Sequence, residues 1–202
     1  MNICFIVNKN LDQNSYAFIF PILNNKKFLP HKIEIKNSIP SKNYDIIIID
    51  SKFFIDWFNK NNTQSVIDYI FKLKKKCKKI VYADNEASIY INYKIINNVD
   101  YYLKGRLPAD IKIYQSKLYG MREFTDFYNK QFNVIDKNEK YSDIINIENT
   151  NKIILGWNNG ICDYSYWSRL NKNIFKLFGY FNKNFNIKDY KKNKLLSVRF
   201  FQ

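Results

Sequence analysis

A single histidine, three cysteines and five glycines deny this 202-residue chain the side chains on which several large enzyme classes are built. His31 follows Pro30 at the start of a strand-like run, far from any thiol or acid motif, so the histidine-dependent chemistry of serine and cysteine hydrolases is not expected. Cys4, Cys77 and Cys162 are odd in number and widely spaced. They form neither a zinc motif nor a disulfide framework and read as buried or incidental thiols. No Gly-x-Gly-x-x-Gly or Walker loop follows any strand-like run, which argues against dinucleotide and P-loop sites. Long apolar runs are missing too. The longest, Ile46 to Ile49, is strand-sized, whereas a membrane-spanning helix takes roughly 20 apolar residues. Met1 to Asn8 carry no basic leader and no small-residue cleavage site, so a cytoplasmic location is expected.

What is present is apolar and basic. Hydrophobic residues make up 46% of the chain, with 17 Phe, 16 Tyr and 3 Trp, enough for a core and too much for a disordered segment. A single core grows to roughly 250 residues, so one domain is the default. The formal charge of +15 would by itself draw phosphate. Of the 33 basic residues, however, 29 are Lys and 4 are Arg, amid many Asn and Ile. That trio is what AT-rich coding supplies, and a nucleic-acid partner is not expected.

The order of segments has the rhythm of an α/β domain. Asn2 to Val7 is a buried strand, followed by a polar loop and a helix opening on Asn14 or Ser15, with Pro21 leaving its boundary open. Lys32 to Lys36 alternates as an edge strand does. Tyr44 to Asp50 is apolar on both faces, the mark of a central strand in a parallel sheet covered on both sides. Thr63 to Lys76 has helical spacing through Val66, Ile67, Ile70, Phe71 and Leu73 and ends in lysines. Further strands are expected over Lys79 to Asp84, Val99 to Lys104, Lys152 to Trp157 and Lys194 to Phe201, with a helix over Ser165 to Phe185 bearing Trp167, Leu170, Ile174, Leu177 and Phe178 on one face. Lys112 to Tyr141 is aromatic, polar and poorly periodic. Strands separated by ten or more residues imply parallel crossovers, hence a Rossmann-like three-layer α/β domain with a mostly parallel sheet.

In such sheets ligands meet the carboxyl ends of the strands. There the chain places Asn8 and Lys9, then Asp50 to Lys52, then Asp84, Asn85, Glu86 and Ser88, then Lys104 to Arg106, then Asn158, Gly160, Asp163 and Tyr164. Asp84 or Glu86 would serve as general base toward a sugar hydroxyl, against the plainer reading of a capping acid after a strand. Arg122 would hold phosphate or carboxylate through paired hydrogen bonds, with Asp126 orienting it and Tyr119 and Tyr128 offering flat faces to a sugar ring. The alternative is an Arg122–Asp126 pair at i,i+4 with the aromatics in the core. The scattered acids lack the spacing of a divalent-metal site, and no metal is expected.

Four segments occur in a telling order: Ile80-Val81-Tyr82-Ala83-Asp84-Asn85-Glu86-Ala87-Ser88, Val99-Asp100-Tyr101-Tyr102-Leu103-Lys104, Tyr119-Gly120-Met121-Arg122-Glu123-Phe124-Thr125-Asp126-Phe127-Tyr128, and Trp157-Asn158-Asn159-Gly160-Ile161-Cys162-Asp163-Tyr164. Their order and spacing resemble a family of bacterial glycosyltransferase-like proteins of surface-polysaccharide synthesis, over about residues 79 to 165. The resemblance implies the N-terminal half of a GT-B glycosyltransferase, which mainly holds the acceptor, while a second domain binds the nucleotide-sugar donor. Residues 1–190 would then be the acceptor-side domain, and 191–202 a linker and the first strand of the missing half. No cofactor is implied within this half. The partners implied are a sugar or lipid-linked acceptor and the second GT-B domain. The family's longer basic stretch after the Asp-x-Tyr-x-Lys strand is replaced here by Gly105-Arg106-Leu107-Pro108.

Arg169 to Gln202 hold nine basic residues against one acid, Asp189, interleaved with aromatics. Two readings stand for this segment. It lies on an anionic membrane surface, making the protein peripheral at the inner face, or it is a solvated basic helix packed on the sheet. The competing function is a non-enzymatic binding module whose basic face meets anionic lipid, nucleic acid or a partner protein.

Overall fold

The computed structural model describes residues 1–9, 11–86, 88–133 and 140–157. Six strands form one sheet: β1 (Asn2–Ile6), β2 (Lys32–Lys36), β3 (Tyr44–Asp50), β4 (Cys77–Asp84), β5 (Tyr101–Lys104) and β6 (Ile153–Leu155). Their order is β2-β1-β3-β4-β5-β6, and every pairing is parallel. The fold is therefore a doubly wound, Rossmann-like three-layer α/β domain, with its strand order reversing between β1 and β3. β2 sits at the edge and β3 inside, as their alternating and continuous apolar patterns require. The helix expected over Ser165 to Phe185, the strand over Lys194 to Phe201 and the boundary near residue 190 lie outside the described residues.

Helices cover the two faces from different parts of the chain. On one face α1 (Gln13–Asn25) lays Phe18, Ile19 and Leu23 over Phe5, Val7, Ile33 and Ala83. Asp12 caps this helix, its Oδ1 accepting from the Ser15 N–H at 2.7 Å, so the helix opens just ahead of the expected Asn14 or Ser15. On the other face α2 (Ile55–Asn59), α3 (Thr63–Lys74) and α4 (Tyr93–Ile96) cover the sheet. There Val66, Ile70 and Leu73 of α3 meet Ile47, Ile49, Ile80 and Tyr82. Asn62 caps α3 through the Ser65 N–H at 3.1 Å, and Lys72 and Lys74 close it where the helix dipole favours cations.

The stretch from Lys112 to Tyr141 is more regular than its composition implies. It holds a 3-10 turn at Ile111–Gln115 and α5 (Glu123–Phe132), which ends on Asn133 in the left-handed conformation; α6 (Ile147–Thr150) then leads into β6. Among the described residues no helix is long and apolar enough to cross a membrane.

Candidate functional site

Successive residues at a strand end point to opposite faces, so the acids closing β3 and β4 belong to two separate networks. Asp84 turns to the α3 face with Tyr82 and Tyr102. Its Oδ2 accepts from the Tyr102 hydroxyl at 2.7 Å and lies 2.8 Å from Lys104 Nζ, a lysine with 0% exposure. That contact is ionic, Nζ being off the line of a straight hydrogen bond. Burial and the nearby carboxylate push the Tyr102 phenol well above its ordinary range, so it donates and does not ionise. Asp84 Oδ1 accepts the Glu86 N–H at 2.9 Å and fixes the loop that follows β4.

Asp50 turns to the α1 face and is fully buried. Its Oδ1 accepts from Asn85 Nδ2 at 2.9 Å and from the Lys52 N–H at 3.3 Å, and Ser15 Oγ lies beside the carboxylate without a straight hydrogen bond. Burial pushes the Asp50 carboxyl up to about 6 against the downward pull of these three neighbours. Above it Lys52 and Glu86 form an ion pair across the β3 and β4 loops. Burial draws the Lys52 ammonium down, but Glu86, Asp12 and Asp50 outweigh it and leave its pKa raised. Asn8, after β1, donates to the Lys52 carbonyl at 3.4 Å. The rim is thus continuous from β1 through β3 to β4.

Beyond β4 a cleft of about 240 Å³ opens between Ser88 and Tyr90 on one side and Gly120, Met121, Arg122 and Thr125 on the other. Gly120 (φ 61°) and Met121 (φ 56°) are consecutive left-handed residues, which swing the chain into the start of α5. Asp126 faces inward: Oδ1 accepts the Tyr119 N–H at 3.1 Å, and Oδ2 pairs with Lys130 Nζ at 2.6 Å. Arg122 precedes the helix in extended conformation and lays its guanidinium over Phe124, 5.8 Å from the ring centre. Replacing Gly120 by alanine is expected to cost about 1–3 kcal/mol in chemical denaturation, because alanine resists this φ. Its Cβ would also meet Thr125 Cγ2 at 2.6 Å. Wild-type stability in that variant would mean the turn relaxes freely.

Compared with protein-family models, curated proteins and solved structures, the chain has no match in any of the three. The motifs therefore stand on their own residues. Ser88 and Arg122 line the cleft, with Tyr119 and Asp126 buried behind it and Tyr128 exposed on the outer side of α5. Arg122 and Asp126 take different partners, since Asp126 is turned back onto the Tyr119 amide. Asn8, Lys9, Asp84 and Glu86 belong to the rim of β1 and β4, and Arg106 is exposed in the loop after β5. Asn158, Gly160, Asp163 and Tyr164 lie outside the described residues. His31 stands at the opposite, amino edge of the sheet, before β2. Burial pushes the Cys4 thiol up to about 12 and Cys77 up to about 11, which leaves neither a nucleophile at neutral pH.

Asp50, Lys52 and Lys104 could be read from the sequence only as polar residues after strands. Their roles depend on register, which sets Asp84 beside Lys104 and Asp50 beside Ala83. Thr125 stood within the Tyr119–Tyr128 motif without a role of its own, and Tyr90 carried no signal: Thr125 reaches the cleft through the turn at Gly120 and Met121, and Tyr90 from the loop after β4.

Proposed function

We propose that this domain is the acceptor-side half of a GT-B sugar transferase, which passes a sugar from a nucleotide-sugar donor, held by a second domain, to a glycan or lipid-linked acceptor. The observation that carries the reading is the cleft at the carboxyl edge, which Arg122 lines together with Ser88 and Thr125 beside an acid-bearing rim. Arg122 takes a phosphate or carboxylate of the acceptor, and the exposed rings of Phe124, Phe127 and Tyr128 offer flat apolar faces to pyranose rings. Of the two candidate carboxylates, Glu86 is half-exposed and Asp84 is buried. Glu86 takes the proton of the acceptor hydroxyl as that oxygen bonds to the anomeric carbon and the nucleoside diphosphate leaves with the electron pair of its bond to the sugar. Asp84 positions Glu86 through the loop amide. The basic exterior suits a protein working peripherally at the cytoplasmic face of a membrane, where lipid-linked acceptors reside.

Calorimetric titration of the full chain with an acidic oligosaccharide tests this. Binding is expected to weaken about ten- to a hundredfold in Arg122→Ala, the range for losing a charge-assisted hydrogen-bonded contact. Undetectable binding by the unaltered chain, or equal binding by the variant, would rule the reading out.

A further inference from the structure

Helix α5 is built inside out. A surface helix normally turns its apolar stripe to the core and its polar side to water. Here Thr125, Asp126 and Asn129 face the fold, while Phe124, Phe127, Tyr128 and Phe132 are 60%, 60%, 54% and 64% exposed. Positions i, i+3, i+4 and i+8 lie on one side of a helix, so the four rings form a single stripe about 12 Å long. The rings touch along it: Phe127 meets Tyr128 edge to face with centres 5.4 Å apart, and Tyr128 stacks on Phe132 at 6.1 Å and 14°. Asp126 holds the helix in this orientation, its carboxylate accepting the Tyr119 N–H and pairing with Lys130.

Size and charge say what the stripe meets. At these exposures, four aromatic side chains of about 200 Å² each leave about 500 Å² of apolar surface open, the size at which a patch marks an interaction site. That is less than the roughly 800 Å² per partner of a standard protein interface, and two copies carrying +15 each would repel. Membrane affinity instead grows with the apolar area buried plus the attraction to anionic lipid. The exposed charges of the helix and its cap are two cations, Arg122 and Lys130, and one acid, Glu123. Arg122 stands at the head of the stripe with its guanidinium 5.8 Å from the Phe124 ring centre, and Lys130 lies along its side. From there both reach lipid phosphates while their apolar stems stay with the rings. The net charge of +15 favours an anionic leaflet over a neutral one.

We propose that α5 is the element that seats this protein on an anionic lipid surface, with its four rings in the headgroup layer and Arg122 and Lys130 at lipid phosphates. The proposal rests on the peripheral location in the transferase reading and gives that location a surface. Because Arg122 also lines the cleft, the cleft then opens at the level where the phosphate of a lipid-linked acceptor lies.

Flotation of the full chain with vesicles of equal parts phosphatidylglycerol and phosphatidylcholine tests this. The unaltered chain is expected to float with them, and the double variant Phe127→Ser, Phe132→Ser to bind about tenfold or more weakly, since burying one aromatic ring is worth about that factor. Both positions are exposed, and an unchanged circular-dichroism spectrum shows that the variant is folded. Equal binding by the variant, or equal binding of the unaltered chain to vesicles of phosphatidylcholine alone, would overturn the proposal. A second measurement leaves the other rings in place and puts a photoreactive benzoylphenylalanine at position 132, or, as a control, in place of Phe71 of α3, which is 47% exposed. Irradiation with the mixed vesicles is expected to give lipid adducts at 132 and not at 71. No lipid adduct at 132, equal yields at the two positions, or adducts joining two copies without vesicles would count against the seating. Neither readout involves a sugar, so their failure is distinguishable from failure of the transferase reading.

Discussion

Lys104→Met is expected to destabilise the domain by about 3–5 kcal/mol, the usual cost of removing one partner of a buried ion pair. Lys104 has no exposed surface, and its ammonium lies 2.8 Å from Asp84 Oδ2. Methionine keeps most of the length and the apolar stem of the side chain, so the change removes chiefly the charge. What remains around Asp84 is the Tyr102 hydroxyl and the Glu86 amide, both neutral donors. An anion in so dry a place then lacks its countercharge. Most of the loss should return in the double variant Lys104→Met, Asp84→Asn, because an amide can occupy the site without a net charge. Urea denaturation of the three variants at neutral pH measures this. A loss below about 1 kcal/mol for Lys104→Met would show that water or backbone shifts neutralise the exposed deficit, and that the pair is not what joins β4 to β5 at this edge. Against a typical domain stability of about 5–15 kcal/mol, the expected loss is large enough to populate unfolded protein on mild heating.

The sheet was legible in the sequence because its strands obey simple burial rules. Ile46 to Ile49 announce an interior strand, and the alternation of Lys32 to Lys36 announces an edge. Helix α3 was equally plain, with Val66, Ile70 and Leu73 on one side and lysines at its end. Helix α5 was not, and the reason is physical. Its inward side is polar, built on Thr125, Asp126 and Asn129, while Phe124, Phe127, Tyr128 and Phe132 look outward. A search for an apolar stripe facing a core therefore finds no core on the side where the helix is anchored. The anchor is a carboxylate, Asp126, gripping the Tyr119 amide. Tyr119 itself, expected to offer a face to ligand, is packed edge-on against Tyr141 at 6.0 Å. At the rim the residue types were readable but their grouping was not. Neighbouring strand ends alternate faces, so Asp50 and Asp84, similar in sequence setting, end in different networks on opposite sides of the sheet.

That difference gives Asp50 a pH signature of its own. Burial holds its carboxyl at about 6, above the ordinary 3.8 that it regains on unfolding. Below about pH 4 the side chain is protonated in both states and adds no penalty. Between there and pH 6 the unfolded chain releases the proton first, and above pH 6 the fold carries a buried anion. Each tenfold difference in proton affinity is worth about 1.4 kcal/mol, so the stability lost as pH rises through this window is about 3 kcal/mol. Asp50→Asn removes the titration while preserving the geometry: its Oδ1 can still accept from Asn85 Nδ2 and the Lys52 amide, and the new Nδ2 can donate toward Ser15. The variant is expected to be more stable than the unaltered chain by about 2–3 kcal/mol near pH 8, with the advantage gone near pH 4. Glu34 and Asp45, whose carboxyls are held low by lysine and other hydrogen-bond donors, titrate in the opposite sense and are common to both proteins, so they cancel in the comparison. Chemical denaturation at the two pH values decides the matter. A difference between the proteins that stays constant with pH would mean that Asp50 is ionised at no cost in the fold, its three neighbours having compensated the burial in full. A difference that grows with pH instead marks an acid kept at the strand-order reversal against the stability of the fold, as groups retained for binding or chemistry are.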